Sequence, residues 1–412
     1  MNAVANDNAI HNDRNVYILG AGFSADAGLP LVAGFMNTMR DAVMWLKEQG
    51  PDRTPEIEAI ESVFAFRRSA AAAALRTHID VENIEELFSL AAAYRQGRHE
   101  ADESKVARAI AATLDYAANR VKDVPKVKVS FNEPPGWSRP SGWMDPEGWK
   151  KGIYECPIYD LQLGVMTGYF SHSNPTRNTL ITFNYDTVVE EALSRLGFAY
   201  DYGLPEGAVR WVSGRPNGRG EPIPILKLHG SVNWGVNLSA PSHQKIEIFP
   251  DYTLLRASEA KHELILAPPT WRKGWGPSHV MTAVWDEAID ALSNATRIII
   301  IGYSLPATDS HFKYLMSAGL RDNISLRKIL FVNGREQPRF VPLPETGGHP
   351  QQSAEQLQLQ SRLFQVLRPE LLERGIAEML FVRAMDFFRD IGTLGSALAR
   401  EHLAPDLKSV QG

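Results

Sequence analysis

The sequence predicts an α/β protein with a Rossmann-like, doubly wound parallel sheet, a large helical insertion and a helical C-terminal extension. The apolar segment Val16–Leu19 runs into Gly20 and then into a helix-compatible segment, which is the pattern of a buried strand, a tight turn and a helix start. Strand-like and helix-like segments alternate again from residue 178 onward. The segment Arg297–Ile301 is almost entirely apolar, as expected of a strand that a parallel sheet buries on both faces.

The chain divides into three predicted units. Residues 1–35 and 178–335 together form the predicted Rossmann domain. Residues 36–177 form the predicted insertion, because apolar residues recur there at helical spacing and an Ala-rich run favours helix. The insertion carries a Pro- and Trp-rich loop at 123–150, which we predict either as a lid or subunit contact or as an ordered surface loop with aromatic anchors. Residues 336–412 form the predicted helical extension, entered through a Pro/Gly-rich linker.

The individual elements follow from apolar runs bounded by turn residues. The predicted strands after the insertion are Thr179–Phe183, Phe198–Tyr202, Ile225–Leu228, Leu264–Ala267, Arg297–Ile301 and Leu326–Val332. The predicted helices are Ile158–Tyr169 at the end of the insertion, then Val188–Leu196, Ala283–Leu292 and Ala307–Met316, and most of the tail from Ser353 to Glu401.

The composition is that of an ordinary soluble globular protein, with 44% hydrophobic and 22% charged residues among 412. The net charge of −5 gives no overall electrostatic reason to expect nucleic-acid binding. The first fifteen residues lack an apolar signal core and no apolar run is long enough to cross a bilayer, so we predict a cytoplasmic protein without membrane insertion. Cys156 is the single cysteine, which excludes an intrachain disulfide and a cysteine-based zinc cluster, and we expect no metal.

The glycine turn after the first strand fits the dinucleotide-binding pattern G-x-G-x-x-A. Gly20 permits the turn, and Gly22 has no side chain, so a pyrophosphate could approach the backbone there. Amides at the start of the following helix would point at such an anion. A glycine-rich strand-to-helix turn without a ligand explains the same residues equally well. The candidate binding residues here are Gly20, Ala21, Gly22 and Ser24.

Polar residues follow several of the other predicted strands, and ligands of open α/β sheets gather beyond the carboxyl ends of strands. Asn184 and Asp186 follow one strand, although both residue types also commonly cap a helix that begins nearby. His229 follows the next strand in a Leu-His-Gly context, where a structural histidine is the alternative. The strand ends after residues 301 and 332 add Gly302, Ser304 and Asn333.

Four of these stretches, in chain order, resemble the motifs of the sirtuin superfamily. The glycine turn reads Gly-Ala-Gly-x-Ser-x-x-x-Gly-Leu-Pro, and Thr-x-Asn-x-Asp surrounds Asn184. Leu-His-Gly surrounds His229, and Gly-x-Ser-Leu begins at Gly302. The resemblance covers residues 16–35 and about 178–334, so the insertion and the tail lie outside it.

The resemblance implies NAD as a ligand and a role for each candidate residue. It implies that Asn184 contacts the ribose and helps to place the attacking group, that Asp186 helps to bind nicotinamide, and that His229 is the catalytic histidine. It also implies that the segment with Gly302 and Ser304 lines the phosphate and ribose part of the site and that Asn333 lies near the adenosine.

Two departures from the deacylase pattern point to one branch of this superfamily. Residues 31–33 read Leu-Val-Ala where deacylases have Asp-Phe-Arg, and the four-cysteine zinc module is absent. In both respects the chain is similar to the bacterial sirtuin-like NADases of anti-phage defence, which keep the Asn and His and replace the zinc module with helices. This resemblance implies that NAD is a substrate, hydrolysed to ADP-ribose and nicotinamide through an oxocarbenium-like transition state.

Control of such an activity is a further expectation, because uncontrolled NAD destruction would kill the host. The apolar tail residues exceed what one exposed helix needs. We therefore expect a homo-oligomer, or a partner such as an ATPase or another phage-sensing protein, that holds the enzyme off until a trigger arrives.

Three alternatives remain open from the sequence. The chain could be an NAD-dependent protein deacylase or ADP-ribosyltransferase, or a non-catalytic module that senses NAD or ADP-ribose. It could also be an ordinary dehydrogenase domain, but the acid near the spacing expected for a ribose ligand, Asp41, lies on a predicted helix with Met39 and Val43.

Overall fold

The computed structural model describes twelve stretches of the chain: 14–94, 103–120, 124–130, 133, 137–145, 152–170, 178–239, 246–258, 262–267, 278–305, 310–334 and 354–389. Residues 1–13, the predicted Pro/Gly-rich linker, Trp149 of the Pro- and Trp-rich loop and the predicted tail beyond residue 389 lie outside the described residues.

The described residues form thirteen strands and thirteen α-helices. The strands are β1 Asn15–Leu19, β2 Lys126–Ser130, β3 Ile153–Pro157, β4 Asn178–Thr182, β5 Phe198–Asp201, β6 Val209–Trp211, β7 Arg219–Lys227, β8 Gly230–Asn237, β9 Ile246–Ile248, β10 His262–Leu266, β11 Arg297–Ile301, β12 Lys328–Val332 and β13 Ala377–Leu380. The helices are α1 Ala21–Ser24, α2 Phe35–Gln49, α3 Thr54–Ala74, α4 Ile84–Tyr94, α5 Glu103–Arg120, α6 Ile158–Met166, α7 Val188–Arg195, α8 Tyr252–Arg256, α9 Ser278–Ser293, α10 Ser310–Leu320, α11 Ala354–Leu363, α12 Pro369–Glu373 and α13 Ala384–Arg389. None of these helices has the length and apolar character needed to cross a bilayer.

The central sheet has seven parallel strands in the order β13-β12-β11-β1-β4-β7-β5. β1 lies in the middle, and all five of its residues are buried. Leu19 pairs with both Ile301 and Thr182, and Thr182 pairs with Lys227. The carboxyl ends of β11, β1, β4 and β7 therefore lie together at one edge of the sheet. The predicted Rossmann-like parallel sheet is confirmed.

Helices cover both faces of this sheet. Tyr17 and Leu19 belong to one buried apolar cluster, together with residues of α6 and α7. Val16 and Ile18 belong to another, together with residues of α9 and α10. Because alternate residues of a strand point to opposite faces, this division places helices on each side, as a doubly wound sheet requires.

A second sheet, of strands β10-β8-β9-β6, has three of its strands after the predicted catalytic histidine, and the first of these, β8, starts at Gly230. Between His229 and residue 267, the described residues contain one helix, the short α8. The predicted strand Leu264–Ala267 lies largely within β10, which pairs with β8. Glycine, serine and asparagine are disfavoured in strands, yet seven of the eight residues of β8 are buried. Tertiary burial, rather than local preference, therefore explains this strand.

The insertion is helical up to residue 120 in the part that the structure describes, and α2 to α5 contribute to one apolar cluster. β2 and β3 then form an antiparallel pair, so the insertion is not helical throughout. In the described part of the Pro- and Trp-rich loop, Trp143 is buried and its indole Nε1 donates to Asp160 Oδ2 at 2.8 Å. The Trp137 ring lies 4.9 Å from that of Tyr154. The described part of the loop is therefore anchored by aromatic packing, and its role as a lid or subunit contact stays a prediction.

The C-terminal segment contributes a strand, which the sequence analysis did not predict. β13 pairs in parallel with β12, so the predicted strand Leu326–Val332 is not the last one. The residues of β13 are Ala, Glu, Met and Leu, which all favour helix, so pairing with β12 overrides their local preference. Leu363 and Phe387 are each 1% exposed in the chain's own core. Burial within the chain therefore accounts for much of the apolar surplus that suggested an oligomer.

Candidate active site

The glycine turn after β1 lies against the loop that follows β11. The Gly20 amide donates to Ile301 O at 3.0 Å, and the Gly22 amide donates to Gly302 O at 2.8 Å. A Cβ added to Gly20 or Gly22 would lie 2.7 or 2.8 Å from Gly302 O, closer than real Cβ atoms come. Glycine is therefore required here so that two backbones can touch. This differs from the predicted role of Gly22, because the space that its missing side chain leaves is filled by Gly302.

The short helix α1 brings Ser24 from the glycine turn into the site. Ser24 is 1% exposed, and its hydroxyl contacts side chains that follow β4. Ala21, at the first position of α1, is partly buried. The Tyr159 hydroxyl, on α6 of the insertion, accepts from the Ala27 amide at 2.8 Å and donates to Phe23 O at 3.0 Å. The insertion therefore holds the end of this turn in place.

Asn184 is bound directly to the glycine turn. Its amide Nδ2 donates to Gly20 O at 2.9 Å and to Ser24 Oγ at 3.0 Å. Its backbone amide donates to Thr182 Oγ1 at 3.0 Å, and that hydroxyl donates to Leu19 O at 3.1 Å. Both side-chain donors of Asn184 are thus used by the protein, which leaves its Oδ1 as an acceptor of fixed orientation.

Asp186 bonds the start of α7, and burial makes the negative charge of its carboxylate unfavourable. Its Oδ1 accepts from the amide of Val188, the first residue of α7, at 3.1 Å, although Thr187 is the N-cap residue of this helix. The Ser24 hydroxyl also hydrogen-bonds the carboxylate. Burial raises the pKa of the Asp186 carboxyl, Lys227 partly opposes the rise, and Glu190 adds to it. Asp186 forms no ion pair within 4.0 Å among the described residues.

Lys227 and Glu190 form a buried ion pair beneath Asp186, and the sequence analysis did not single out either residue. Lys227 is 1% exposed and Glu190 4% exposed, with Nζ and Oε1 2.8 Å apart. Lys227 Nζ also donates to the backbone carbonyl of Asp186. A lysine inside the otherwise apolar run 225–228 was the available signal, since charged residues are almost never fully buried unless they are paired.

His229 is 7% exposed and lies at the carboxyl end of β7, next to β4. The centroid of its ring is 5.3 Å from that of Phe183 and 5.9 Å from that of Tyr185, the two chain neighbours of Asn184. The Tyr185 hydroxyl donates to Ala267 O at 2.6 Å, and the Ala267 amide donates to His229 O at 2.8 Å. The end of β10 therefore fastens the His229 backbone to the segment that follows β4.

The loop after β11 joins the same edge of the sheet. The Tyr303 ring stacks on Phe183 with centroids 5.0 Å apart. Asn333 Nδ2 donates to Tyr303 O at 2.8 Å, so this side chain supports the loop. Ser304 is exposed, and its carbonyl accepts from Arg362 of α11 at 3.2 Å. Asn333 therefore supports the loop that carries Gly302, and Ser304 lies on its solvent side.

A cavity of about 220 Å³ lies elsewhere, beside β5 and β6, and its lining includes Tyr202, Trp211 and Arg215. None of the predicted site residues lines it. The volume is also below the range usual for pockets that enclose a drug-sized ligand. The hydrogen-bonded cluster at the edge of the central sheet is therefore the better candidate for a site that binds a dinucleotide.

The comparisons with known proteins point to the same part of the chain. Residues 178–366 match the model of the SIR2-like domain, and this match supports the sirtuin superfamily. The matched stretch contains Asn184, Asp186, His229 and the loop after β11, whereas the glycine turn precedes it. No curated protein matches the chain.

Similar solved structures include "Sir2 bound to acetylated peptide", at 13% identity over 93% of this chain and 94% of that chain, with a TM-score of 0.35. "The Structural basis of Sirtuin Substrate Affinity" has 14% identity over 96% and 100%, with a TM-score of 0.37. "Sir2-p53 peptide-NAD+" has 14% identity over 92% and 91%, with a TM-score of 0.33. At scores this low, the likeness carries no weight for the function of this chain.

Proposed function

We propose that this chain is a sirtuin-superfamily NAD glycohydrolase, which cleaves the nicotinamide–ribose bond of NAD to give ADP-ribose and nicotinamide. The observation that carries the proposal is the placement of Asn184. Its side chain is bonded to Gly20 and Ser24 of the glycine turn, and both of its chain neighbours contact the His229 ring. The amide, the carboxylate and the imidazole thus belong to neighbouring segments at the carboxyl edge of a parallel sheet, where such folds bind nucleotides.

The electrostatics of Asp186 suit the nicotinamide end of NAD. The nicotinamide ring of NAD is a cation, and Asp186 is a partly buried carboxylate whose pKa is raised mainly by burial. A cationic ring placed beside this carboxylate would offset part of the free-energy cost of burying it, because an opposite charge favours the ionised form. The fit between the residues present and this part of NAD supports binding in the proposed orientation.

The other groups divide the remaining tasks. Asn184 Oδ1 is available to accept a hydrogen bond from a ribose hydroxyl or from the attacking water. The water oxygen bonds to C1′ of the ribose as the C1′–N bond breaks. The electron pair of the broken C1′–N bond stays with the nicotinamide nitrogen. His229 accepts the proton that the water loses. The leaving group becomes neutral on departure, so no acid is needed to protonate it.

Water is the proposed acceptor because nothing corresponding to a cysteine zinc module can be built in this chain. The single cysteine, Cys156, is buried in the insertion. Three strands of a four-stranded sheet follow His229 in the described residues. We further propose that the enzyme acts in the cytoplasm as a triggered effector of anti-phage defence, held off by oligomer formation or by a partner such as an ATPase. This last step rests on the resemblance to the sirtuin-like NADases and on the lethality of unchecked NAD loss.

The test is to incubate the purified full chain with NAD and to resolve the products, with and without the product of a neighbouring gene. His229→Ala is expected to lower the rate of nicotinamide release by about two to four orders of magnitude, the usual contribution of a general base. Asn184→Ala should also lower it strongly. His78→Ala is the control, because His78 is exposed on the insertion and should have no effect.

Four results would contradict the proposal. Unchanged NAD cleavage in both His229→Ala and Asn184→Ala would show that these two residues are not catalytic. Release of nicotinamide only when an acylated peptide is added would indicate a deacylase, and transfer of ADP-ribose to protein would indicate a transferase. Tight NAD binding without turnover under all conditions would indicate a sensor.

A further inference from the structure

We propose, on the basis of the NAD cleavage proposed above, that Lys227 is a positioning residue that holds the Asn184–Asp186 segment in register with His229. Lys227 does not itself face the ribose in this proposal. It acts through the backbone of Asp186, and Glu190 pairs with its charge.

The sheet register places Lys227 at the junction of the two catalytic segments. Lys227 is the last residue of β7 and pairs with Thr182, the last residue of β4. Asn184 lies two residues beyond Thr182, and His229 lies two residues beyond Lys227. The two proposed catalytic side chains therefore leave neighbouring strands at the same level, directly after this pair.

The Lys227 side chain then ties together both ends of the turn that follows Asn184. Its Nζ donates to the carbonyl of Asp186 and to Glu190 Oε1, the latter at 2.8 Å. Glu190 lies in the first turn of α7. The lysine thus binds the last residue of the proposed catalytic segment and the helix that follows it. Loss of this donor would leave the Asp186 carbonyl without its bond to β7.

A second polar layer supports the acceptor. The Tyr202 hydroxyl donates to Glu190 Oε1 at 3.1 Å, and Asn233 Nδ2 donates to Phe249 O at 2.8 Å beside it. Burying a lysine–glutamate pair costs desolvation energy that an apolar pair of similar volume would not. Stability therefore does not explain a charge at residue 227, whereas a need to orient the Asp186 backbone does.

The experiment separates the loss of the Lys227 donor from the loss of the Glu190 charge. Lys227→Met combined with Glu190→Gln removes the cation together with the charge of its ion-pair partner. Glu190→Gln alone keeps the lysine donor to Asp186 O. The matched control is Arg53→Met combined with Asp115→Asn, another ion pair of 2.7 Å with side chains 6% exposed, which lies in the insertion.

Two readouts are taken on the full chain. The first is hydrogen–deuterium exchange of the peptide amides at 183–188, which needs no NAD turnover. Exchange is expected to rise in the Lys227 double variant but not in Glu190→Gln or in the control pair. The second is kcat for nicotinamide release, expected to fall about tenfold to a hundredfold in the Lys227 double variant alone, as for a small misplacement of reacting groups.

Equal exchange at 183–188 in the Lys227 double variant and the control pair would overturn the proposal, whatever the NAD assay gives. Raised exchange with a wild-type kcat would also overturn it. Raised exchange in a chain whose wild type does not cleave NAD would support the holding role and refute the proposed function. If the double variant does not fold, Lys227→Leu with Glu190→Leu provides the same comparison.

Discussion

Substitution of Gly302 tests whether glycine is needed so that the loop after β11 can contact the glycine turn after β1. Gly302 has φ +66°, and an added Cβ would lie 2.5 Å from the carbonyl carbon of Gly22 and closer still to Phe23 N. Alanine in this left-handed conformation costs about 1–2 kcal/mol. Forcing extra atoms into a packed contact costs about 1–3 kcal/mol more. Gly302→Ala should therefore lower the free energy of unfolding by about 2–5 kcal/mol.

Gly375 provides a matched control for this prediction. Its φ is +69°, but nothing lies within 4 Å of an added Cβ. Gly375→Ala should therefore cost only the conformational part, about 1–2 kcal/mol. Urea unfolding measures both losses, and their difference isolates the contact between the loops. Equal losses in the two variants would refute the inference that the backbone of Gly302 fills the space against Gly22.

The same pair of variants links packing to function. Gly302→Ala pushes the loop after β11 away from the glycine turn, and Gly20 of that turn accepts a hydrogen bond from Asn184. NAD cleavage should therefore fall in Gly302→Ala at temperatures where the variant is still folded. It should remain at the wild-type rate in Gly375→Ala. A loss of activity in both would mean that backbone strain anywhere in the domain, rather than this contact, disturbs the site.

Three further predictions follow from individual contacts. Asp186→Asn should lower nicotinamide release yet raise stability in urea at neutral pH. In the wild type, the folded state binds the Asp186 proton more tightly than the unfolded state does. The free energy of unfolding of the wild type therefore falls as pH rises from the ordinary aspartate pKa through the raised pKa of Asp186. The stability advantage of the variant should vanish below the ordinary aspartate pKa. Thr182→Val should cost about 1–3 kcal/mol in urea unfolding and lower kcat, because Thr182 Oγ1 bonds both Leu19 O and the Asn184 amide. Trp143→Phe should cost about 1–3 kcal/mol by removing the donor to Asp160, with no change in the cleavage rate. A fall in cleavage in that last variant would support the lid interpretation of the Pro- and Trp-rich loop.

Local sequence patterns were sufficient to predict most strands of the central sheet. Arg297–Ile301 is observed with the predicted bounds, because a strand buried on both faces must be apolar along its length. Asn184, His229 and Gly302 were singled out because they follow predicted strand ends and because their motifs resemble those of sirtuins. Their roles in NAD cleavage stay predictions.

Other features could not be read from local patterns, because their stability depends on partners distant in the chain. β8 is rich in residues that strands disfavour, and β13 is built from helix-forming residues, so only their pairing makes them strands. The ion pair of Lys227 with Glu190 is of the same kind, since neither residue type is expected inside the protein until its partner is known.

The sequence by itself determined that this protein has a parallel sheet with a glycine turn, an amide, a carboxylate and an imidazole at its strand ends. Only the tertiary structure decided two further points. The glycines are needed because Gly22 and Gly302 are in contact, and Lys227 is the group that bonds the Asp186 carbonyl. The physical reason is that hydrophobic periodicity and turn chemistry act over a few neighbouring residues. Close backbone packing and buried charge pairs instead depend on strands that meet only after the whole chain has folded.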